Sequence, residues 1–461
     1  LPCRWNITAI RVHMGYDVVM HFTDEQPFLD AIFDRYADDR PRLIYADYLD
    51  DVGEPERAEL IRVQLALVRL SEDDPRRPQL SDRQAELLTR NRSAWTADLA
   101  GLVVWIDFRR GIPDSASVDA ATFLERGGEL LQRLRLRRLR LLDASGVIPK
   151  LFSSPLLAQI RELDLCNAEL GNTGVMLLAR SPMLKNLESL DLGFNGLTDA
   201  GIEAISKSSN LPELTALALN DNDNITCDGL RMLAESPFFA GLTTLDVSGN
   251  DIGERGIGAV VASPAMARLR TFRVNNNRIG DGGLATLTKS ALLTRMLKTD
   301  PKLAIRDNGI GADGAAALAA CPALAGCSTL DLTNNDLRDT GVATLLRSLH
   351  LSKLKILRLG RNQLTDHGIF AAHELLDSLF DRLDLLDVSN NRLTRLGLNT
   401  LSMLRGERAV RLEDAGNVQS SPTGDAPVAV SDLMPHLMEG VAEAARLKQR
   451  IAYPCQRNNG Q

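Results

Sequence analysis

The sequence predicts an α/β fold: a curved solenoid of stacked strand–turn–helix units, preceded by a small helical N-terminal unit. Three observations predict it. The phrase L-x-x-L-x-L-x-x-N-x-L recurs along the 461-residue chain, most clearly as Leu187-Glu-Ser-Leu190-Asp-Leu192-Gly-Phe-Asn195-Gly-Leu197. Its Asn returns at Asn195, Asn222, Asn250, Asn277, Asn308, Asn335, Asn362 and Asn391, in steps of 27, 28, 27, 31, 27, 27 and 29 residues. A glycine follows each Asn by six or seven residues and opens an apolar run, as at Gly201, Gly229 and Gly256. A further copy leads the series, with Leu163 and Leu165 in register and Ala168 where Asn would stand, which makes nine.

Each position has a physical reason. In a strand, Leu190 and Leu192 point one way and Asp191 the other. One unit cannot bury its apolar face alone, so neighbours stack. Strands line up roughly 4.8 Å apart, the wider helices lie outside, and the stack curves around its nine to eleven parallel strands. The Asn amide satisfies backbone groups that the turn leaves unpaired. The Gly is a close-packing or special-backbone position at the helix start. The pattern resembles the ribonuclease-inhibitor type of leucine-rich repeat, over a little more than half the chain. That resemblance implies a long unit with a full helix. Two copies depart from it. Asn222-Asp-Asn-Ile225 is one residue too long, and the copy at Asn308 follows the insertion Thr294-Arg-Met-Leu-Lys-Thr-Asp-Pro301. Both read as bulges of no consequence.

Residues 1–20 show no period and read as a disordered or non-native leader, with Met20 as the natural start. Residues 21–99 read as helical, from the capping box Thr23-Asp-Glu-Gln26 onward. Phe28, Leu29, Ile32 and Phe33 fall at helical spacing. Pro41-Arg-Leu, Tyr45-Ala-Asp47-Tyr-Leu49-Asp50 and Pro55-Glu-Arg57-Ala-Glu59-Leu-Ile61-Arg62-Val-Gln64 follow. These roughly 25 residues resemble the repeat-companion domain of bacterial proteins. That likeness implies a companion to an interaction array, with no enzymatic role. Asp47, Asp50, Asp51 and Glu54 form one helical stripe. A metal or acid/base site is one reading; a solvated face paired with Arg42 and Arg57 is the other, favoured because no second ligand group accompanies the stripe. Pro75 and Pro78 mark a loop, and a helix with a buried Trp95 runs from Asp82 to about Asp98.

Residues 100–159 read as degenerate leading repeats that cap the array. They hold a strand over Leu102–Phe108, a helix over Ala120–Leu131 and a strand over Leu134–Leu141. Arg133, Arg135, Arg137, Arg138 and Arg140 make the most basic patch. RNA binding is weighed there against a solvated strand face or a dock for an acidic neighbour; no aromatic residues interleave to stack bases. The array proper is 160–413. Residues 414–461 read as a flexible tail in which Asp432–Ile451 could form a helix.

Composition narrows the function. The net charge of −7, from 53 basic and 60 acidic residues, disfavours nucleic acid as a partner. No apolar run reaches the ~18 residues of a membrane span. The six cysteines include no C-x-x-C pair, and the six histidines no H-E-x-x-H. Phosphate-cradling and nucleophile-elbow motifs are absent from the sequence. The expectation is a cytoplasmic, monomeric, non-enzymatic chain with reduced thiols, no cofactor and no metal.

Arrays of this kind bind through the concave strand side. The central outward row reads Arg140, Asp164, Asp191, Ala218, Asp246, Arg273, Ala304, Asp331, Arg358 and Asp387, with opposite charges on several neighbouring strands. Phe194 and Arg361 lie just past their strands. The expected partner-binding set is Asp191, Phe194, Asp246, Arg273, Asp331, Arg358, Arg361 and Asp387. Arginines would serve as anchors; the aspartates would set register or only support the strands. The function expected is a protein–protein interaction scaffold. The alternative rests on resemblance alone. Ran GTPase-activating proteins carry the same repeat type, which would make the chain a regulator of a small GTPase; no catalytic residue of that family can be matched onto it.

Overall fold

The computed structural model describes residues 25–70, 74–222 and 224–417. The expected leader and nearly all of the expected tail lie outside them. The chain divides into two compact units, Leu1–Asp98 with Asp107–Asp114, and Leu99–Ile106 with Ser115–Gln461.

The first unit holds α1 (Gln26–Asp34), α2 (Arg40–Asp51), α3 (Pro55–Arg69) and α4 (Arg77–Trp95). Each begins with a proline in its first two positions, where the missing N–H costs nothing. Pro78 therefore opens α4 where a loop was expected, and Trp95 is half-buried. Ile32, Tyr45, Ala46, Leu49, Ala58, Ile61, Leu65 and Ile112 form the core, with Phe28 stacked on Tyr48 at 4.5 Å. Gly111 has φ +85, and a Cβ there would lie 2.3 Å from the Ile61 backbone. Its amide donates to Gln64 Oε1 at 2.6 Å. Only glycine satisfies both constraints.

In the second unit the expected α/β array of parallel strands and outer helices is present. The strands are β1 (Trp105–Arg109), β2 (Ile112–Asp119), β3 (Arg138–Leu142), β4 (Glu162–Asp164), β5 (Ser189–Asp191), β6 (Ala216–Ala218), β7 (Thr244–Asp246), β8 (Thr271–Arg273), β9 (Lys302–Ala304), β10 (Thr329–Asp331), β11 (Ile356–Arg358), β12 (Leu385–Asp387) and β13 (Arg411–Glu413). The residues of β1 and β2 are divided between the two units. Among the described residues there are thirteen strands where nine to eleven were expected, in one sheet of eight in the order β1–β8 and one of five, β9–β13. Register follows the repeat: Leu163, Leu190, Leu217, Leu245 and Phe272 are successive partners in the first sheet. Leu303, Leu330, Leu357, Leu386 and Leu412 are partners in the second.

Three-residue strands carry few ladder bonds, so the repeats need other ties. Side chains supply three sets. Asn195 shows the first: its Oδ1 accepts the Ala168 and Leu170 amides, and its Nδ2 donates to Leu165 and Gly193 carbonyls. Later asparagines repeat this through Asn391 and on to Asn417, except that the Asn250 side chain only donates. Second, the Ser181, Ser208, Ser236, Ser263 and Ser348 hydroxyls donate at 2.5–2.6 Å to carbonyls ending the previous repeat's helix. Third, Asp199, Asp339 and Asp366 each accept from the amide and hydroxyl of a threonine one repeat later: Thr226, Thr365 and Thr394. This last set explains the glycine at Gly229, Gly368 and Gly397; at Gly174, Gly256, Gly283 and Gly341 the nearest neighbours are aliphatic side chains instead. A Cβ at Gly229 would lie 2.3 Å from Asp199 Oδ1. The position is one of close packing, not of unusual backbone.

Both irregular copies have consequences, contrary to expectation. The 31-residue step before Asn308 accommodates an additional helix, Ala291–Thr299, and the strand ladder is interrupted between β8 and β9. Side-chain bonds bridge the gap: Asn308 Oδ1 accepts the Asn277 amide, and Asn275 Oδ1 accepts the Arg306 amide. In the longer copy, the Asn224 amide folds back onto the Asn222 carbonyl. Buried Asn250 Oδ1, one repeat on, accepts no bond among the described residues.

Asn308 is fully buried and ties two amides and two carbonyls where no strand ladder helps. Asn308→Ala should cost ~2–4 kcal/mol, because the orphaned backbone groups stay buried. Denaturant unfolding of both proteins checks this; a loss below about 1 kcal/mol would show that the bridge is dispensable.

Candidate functional site

On β4–β8 the middle residue of each strand enters the core and the flanking residues face outward. The outward pairs are Glu162/Asp164, Ser189/Asp191, Ala216/Ala218, Thr244/Asp246 and Thr271/Arg273. Because β6 offers only two alanines, a shallow depression of about 170 Å³ opens there, with Arg138, Asp164, Asp191, Ala218, Asp246 and Arg273 in its lining. Asp191, Asp246 and Arg273 of the expected set thus meet at one place, and Phe194 lies three residues past Asp191. Asp331, Arg358, Arg361 and Asp387 belong to the second sheet or its turns. Arg138, Glu162 and the two alanines were not singled out as site residues from the sequence; the only signal was the small residues at β6.

The aspartates have a structural task. Oδ1 of Asp164, Asp191, Asp246, Asp331 and Asp387 each accepts the amide two residues on, at 2.8–3.1 Å, which closes the turn after the strand. Their charges differ in treatment. Arg138 lies 2.9 Å from Asp164, and Arg273 lies 3.6 Å from Asp246. Asp331, only 1% exposed, is flanked by Arg306 at 2.6 Å and Arg358 at 3.6 Å. Arg306 was overlooked because its repeat has lost the leading leucine. For half-buried Asp191, no ion pair is found among the described residues. Burial pushes its carboxyl above the ordinary carboxylate range. The Gly193 amide pulls it down, the Asp164 charge pushes it up, and Arg138 and Asp246 act more weakly in opposite senses.

The arginine run ahead of this site is largely matched by acid. Arg137 contacts Glu162 at 3.0 Å and also Glu188, Arg133 contacts Glu129, and Arg138 contacts Asp164. Glu162 and Asp164 lie on the next strand and Glu188 just before the one after it, whereas Glu129 shares a helix with Arg133.

Phe194 and Arg361 share a backbone feature. The residue before each Asn of the repeat, and before Ala168, has positive φ: Asn167, Phe194, Asp221, Gly249, Asn276, Asp307, Asn334, Arg361 and Asn390. Asn, Asp and Gly tolerate this conformation, and bulky side chains pay for it. Seven of the nine residues are of the tolerant kind; Phe194 and Arg361 are the exceptions. Phe194 is 53% exposed, so core packing does not account for it.

In the N-terminal unit the acidic stripe pairs with Arg62, which lies 2.8 Å from Asp47 and 2.7 Å from Asp50, and not with Arg42 or Arg57. Arg57 instead pairs with Glu25, to which the Tyr45 hydroxyl donates at 2.5 Å. Burial opposes ionisation of Glu25, but the Arg57 and Tyr45 bonds outweigh it and hold the carboxyl below its usual value. Arg42 is buried over the Tyr36 ring at 4.7 Å and donates to the Tyr36 and Asp38 carbonyls. The conspicuous motif residues of this unit therefore serve its packing. Among the described residues no His/Cys/Asp/Glu group suits a metal ion, and Cys166, Cys227, Cys321 and Cys327 are unpaired. No helix among them is long and apolar enough to cross a membrane.

A family model agrees with the repeat. The family model described as Leucine Rich repeat matches residues 184–206, 242–261, 302–319, 328–346 and 350–371. The units are leucine-rich repeats. Among curated proteins, none matches the chain. The crystal structure of an internalin from Listeria monocytogenes aligns over 67% of this chain and 82% of its own, at 17% identity and a TM-score of 0.37.

Asp191 gives a signed test. Its folded-state pKa lies above the unfolded value of ~3.9, so the ionised carboxylate costs stability above that window and nothing below it. Asp191→Asn, which keeps an acceptor for Gly193, should raise the Tm at neutral pH and lose that advantage as pH falls through the carboxylate range. A lower Tm at neutral pH would contradict the assignment.

Proposed function

We propose that this chain is a non-catalytic protein-interaction scaffold whose partner rests on the strand face over β4–β8. The repeating Asn, Ser, Asp–Thr and Gly positions are accounted for by ties between units. Asp191 is only partly so, and Phe194 not at all. The single observation that carries the reading is Phe194: an exposed aromatic side chain on left-handed backbone, three residues past Asp191 of the depression's lining. Aromatic residues dominate contact energies at interfaces, and local strain retained at an exposed position is characteristic of working surfaces. Arg273 on the rim belongs to the same surface; its exposed guanidinium can turn from Asp246 toward a partner. Asp246 fixes register there more than it adds affinity. Asp331, Arg358, Arg361 and Asp387 form a second stretch of the proposed surface, over β10–β12. The absence of a catalytic motif from the sequence favours binding over chemistry.

Ala218→Arg tests the proposal by filling the depression from its floor while leaving the core leucines untouched. Proteins from the source organism retained on the wild-type chain should include one lost from Ala218→Arg and kept by Glu203→Gln, on an outer helix. Identical retention by all three would overturn the strand-face assignment.

A further inference from the structure

We infer that the depression over β5–β7 receives a lysine or arginine side chain from an extended segment of the partner protein, with an apolar neighbour of that residue lying against Phe194. The inference rests on the strand-face reading above and specifies the partner's chemistry. Charge complementarity carries it. Four carboxylates line the depression, Glu162, Asp164, Asp191 and Asp246. Glu162 pairs with Arg137, Asp164 with Arg138 and Asp246 with Arg273, which leaves Asp191 as the lining carboxylate with no ion pair among the described residues. Asp191 is held by the Gly193 amide on one oxygen, and its register neighbours are Ala218 on one side and Asp164 on the other.

The surroundings select among cations. Asp191 and Asp246 lie two strands apart, roughly 10 Å at sheet spacing, too far to share a metal ion at ~2.0–2.6 Å ligand distances. A long side chain has the right form instead. Its stem crosses the small floor of Ala216, Ala218 and Ser189 while its charged end meets Asp191. An acidic or phosphorylated segment would have to displace Arg138 from Asp164 or Arg273 from Asp246, and would meet repulsion from Asp191. Phe194, three residues past Asp191 and exposed, supplies the apolar half of the contact. Among the described residues Asp191 has no ion pair, and a partner's cation would supply one.

A phage-displayed library of random linear heptapeptides, panned on the wild-type chain, is the probe. Recovered peptides should share a lysine or arginine next to an apolar residue. Synthetic versions should bind Asp191→Asn and Phe194→Ala weaker by roughly tenfold or more, with Glu203→Gln unchanged. Circular dichroism and Tm of each variant exclude unfolding. Recovery of no peptide, of neutral or acidic peptides, or of basic peptides that bind Asp191→Asn as tightly as wild type would overturn the inference. If Ala218→Arg still abolishes protein capture in that case, the scaffold reading stands and only the cationic partner chemistry fails.

Discussion

The amide of one asparagine per repeat sets the terms for the rest of the array. Strands of three residues offer too few backbone bonds to fix one unit on the next. A buried Asn that accepts two amides and donates to two carbonyls makes up the difference and fixes the spacing between repeats. Its demand also places the left-handed residue just before it, because the chain must turn sharply to bury the amide. Where the step between asparagines lengthens, as before Asn308, the strand ladder is interrupted, and the asparagine bridge holds the two units together with backbone bonds from Asn276 to Arg306 and from Gly280 to Asn308.

This constraint divides the strand face. Asp164, Asp246, Asp331 and Asp387 each close a turn, and the first three also face an arginine. Such residues recur because the fold needs them. Asp191 closes its turn as well, but beside other carboxylates and with two alanines where a neighbouring strand would otherwise place a counter-ion. Phe194 replaces the Asn, Asp or Gly that the backbone prefers. Two departures from local preference within four residues are consistent with demands from outside the fold.

The repeat was legible because its period is long and its leucine and asparagine positions recur in nearly every copy. Strand β2 was not. No strand was expected over residues 112–119; Pro113 and Asp114 are poor strand formers, and it is Ser115–Asp119 that pair with β3. The extra helix Ala291–Thr299 was visible only as an insertion, since its apolar spacing is short. Arg62 as the partner of Asp47 and Asp50 required the packing of α2 on α3. At the candidate site, Asp191, Asp246, Arg273 and Phe194 could be named from register. The depression could not, because it comes from what Ala216 and Ala218 omit. The left-handed ladder could have been found: Asn, Asp or Gly stands before the repeat position in most copies, which makes Phe194 and Arg361 conspicuous.

The central claim is that Phe194 occupies its position for a partner and not for the fold. Equilibrium unfolding of Phe194→Asn tests it most directly. Asn suits left-handed backbone that costs a bulky residue ~1 kcal/mol, and the exposed ring gives up little buried surface. The account predicts stability unchanged within about 1 kcal/mol, or raised. A loss of ~2 kcal/mol or more would mean that the ring is held by packing, and the reading of Phe194 as a partner contact would be wrong.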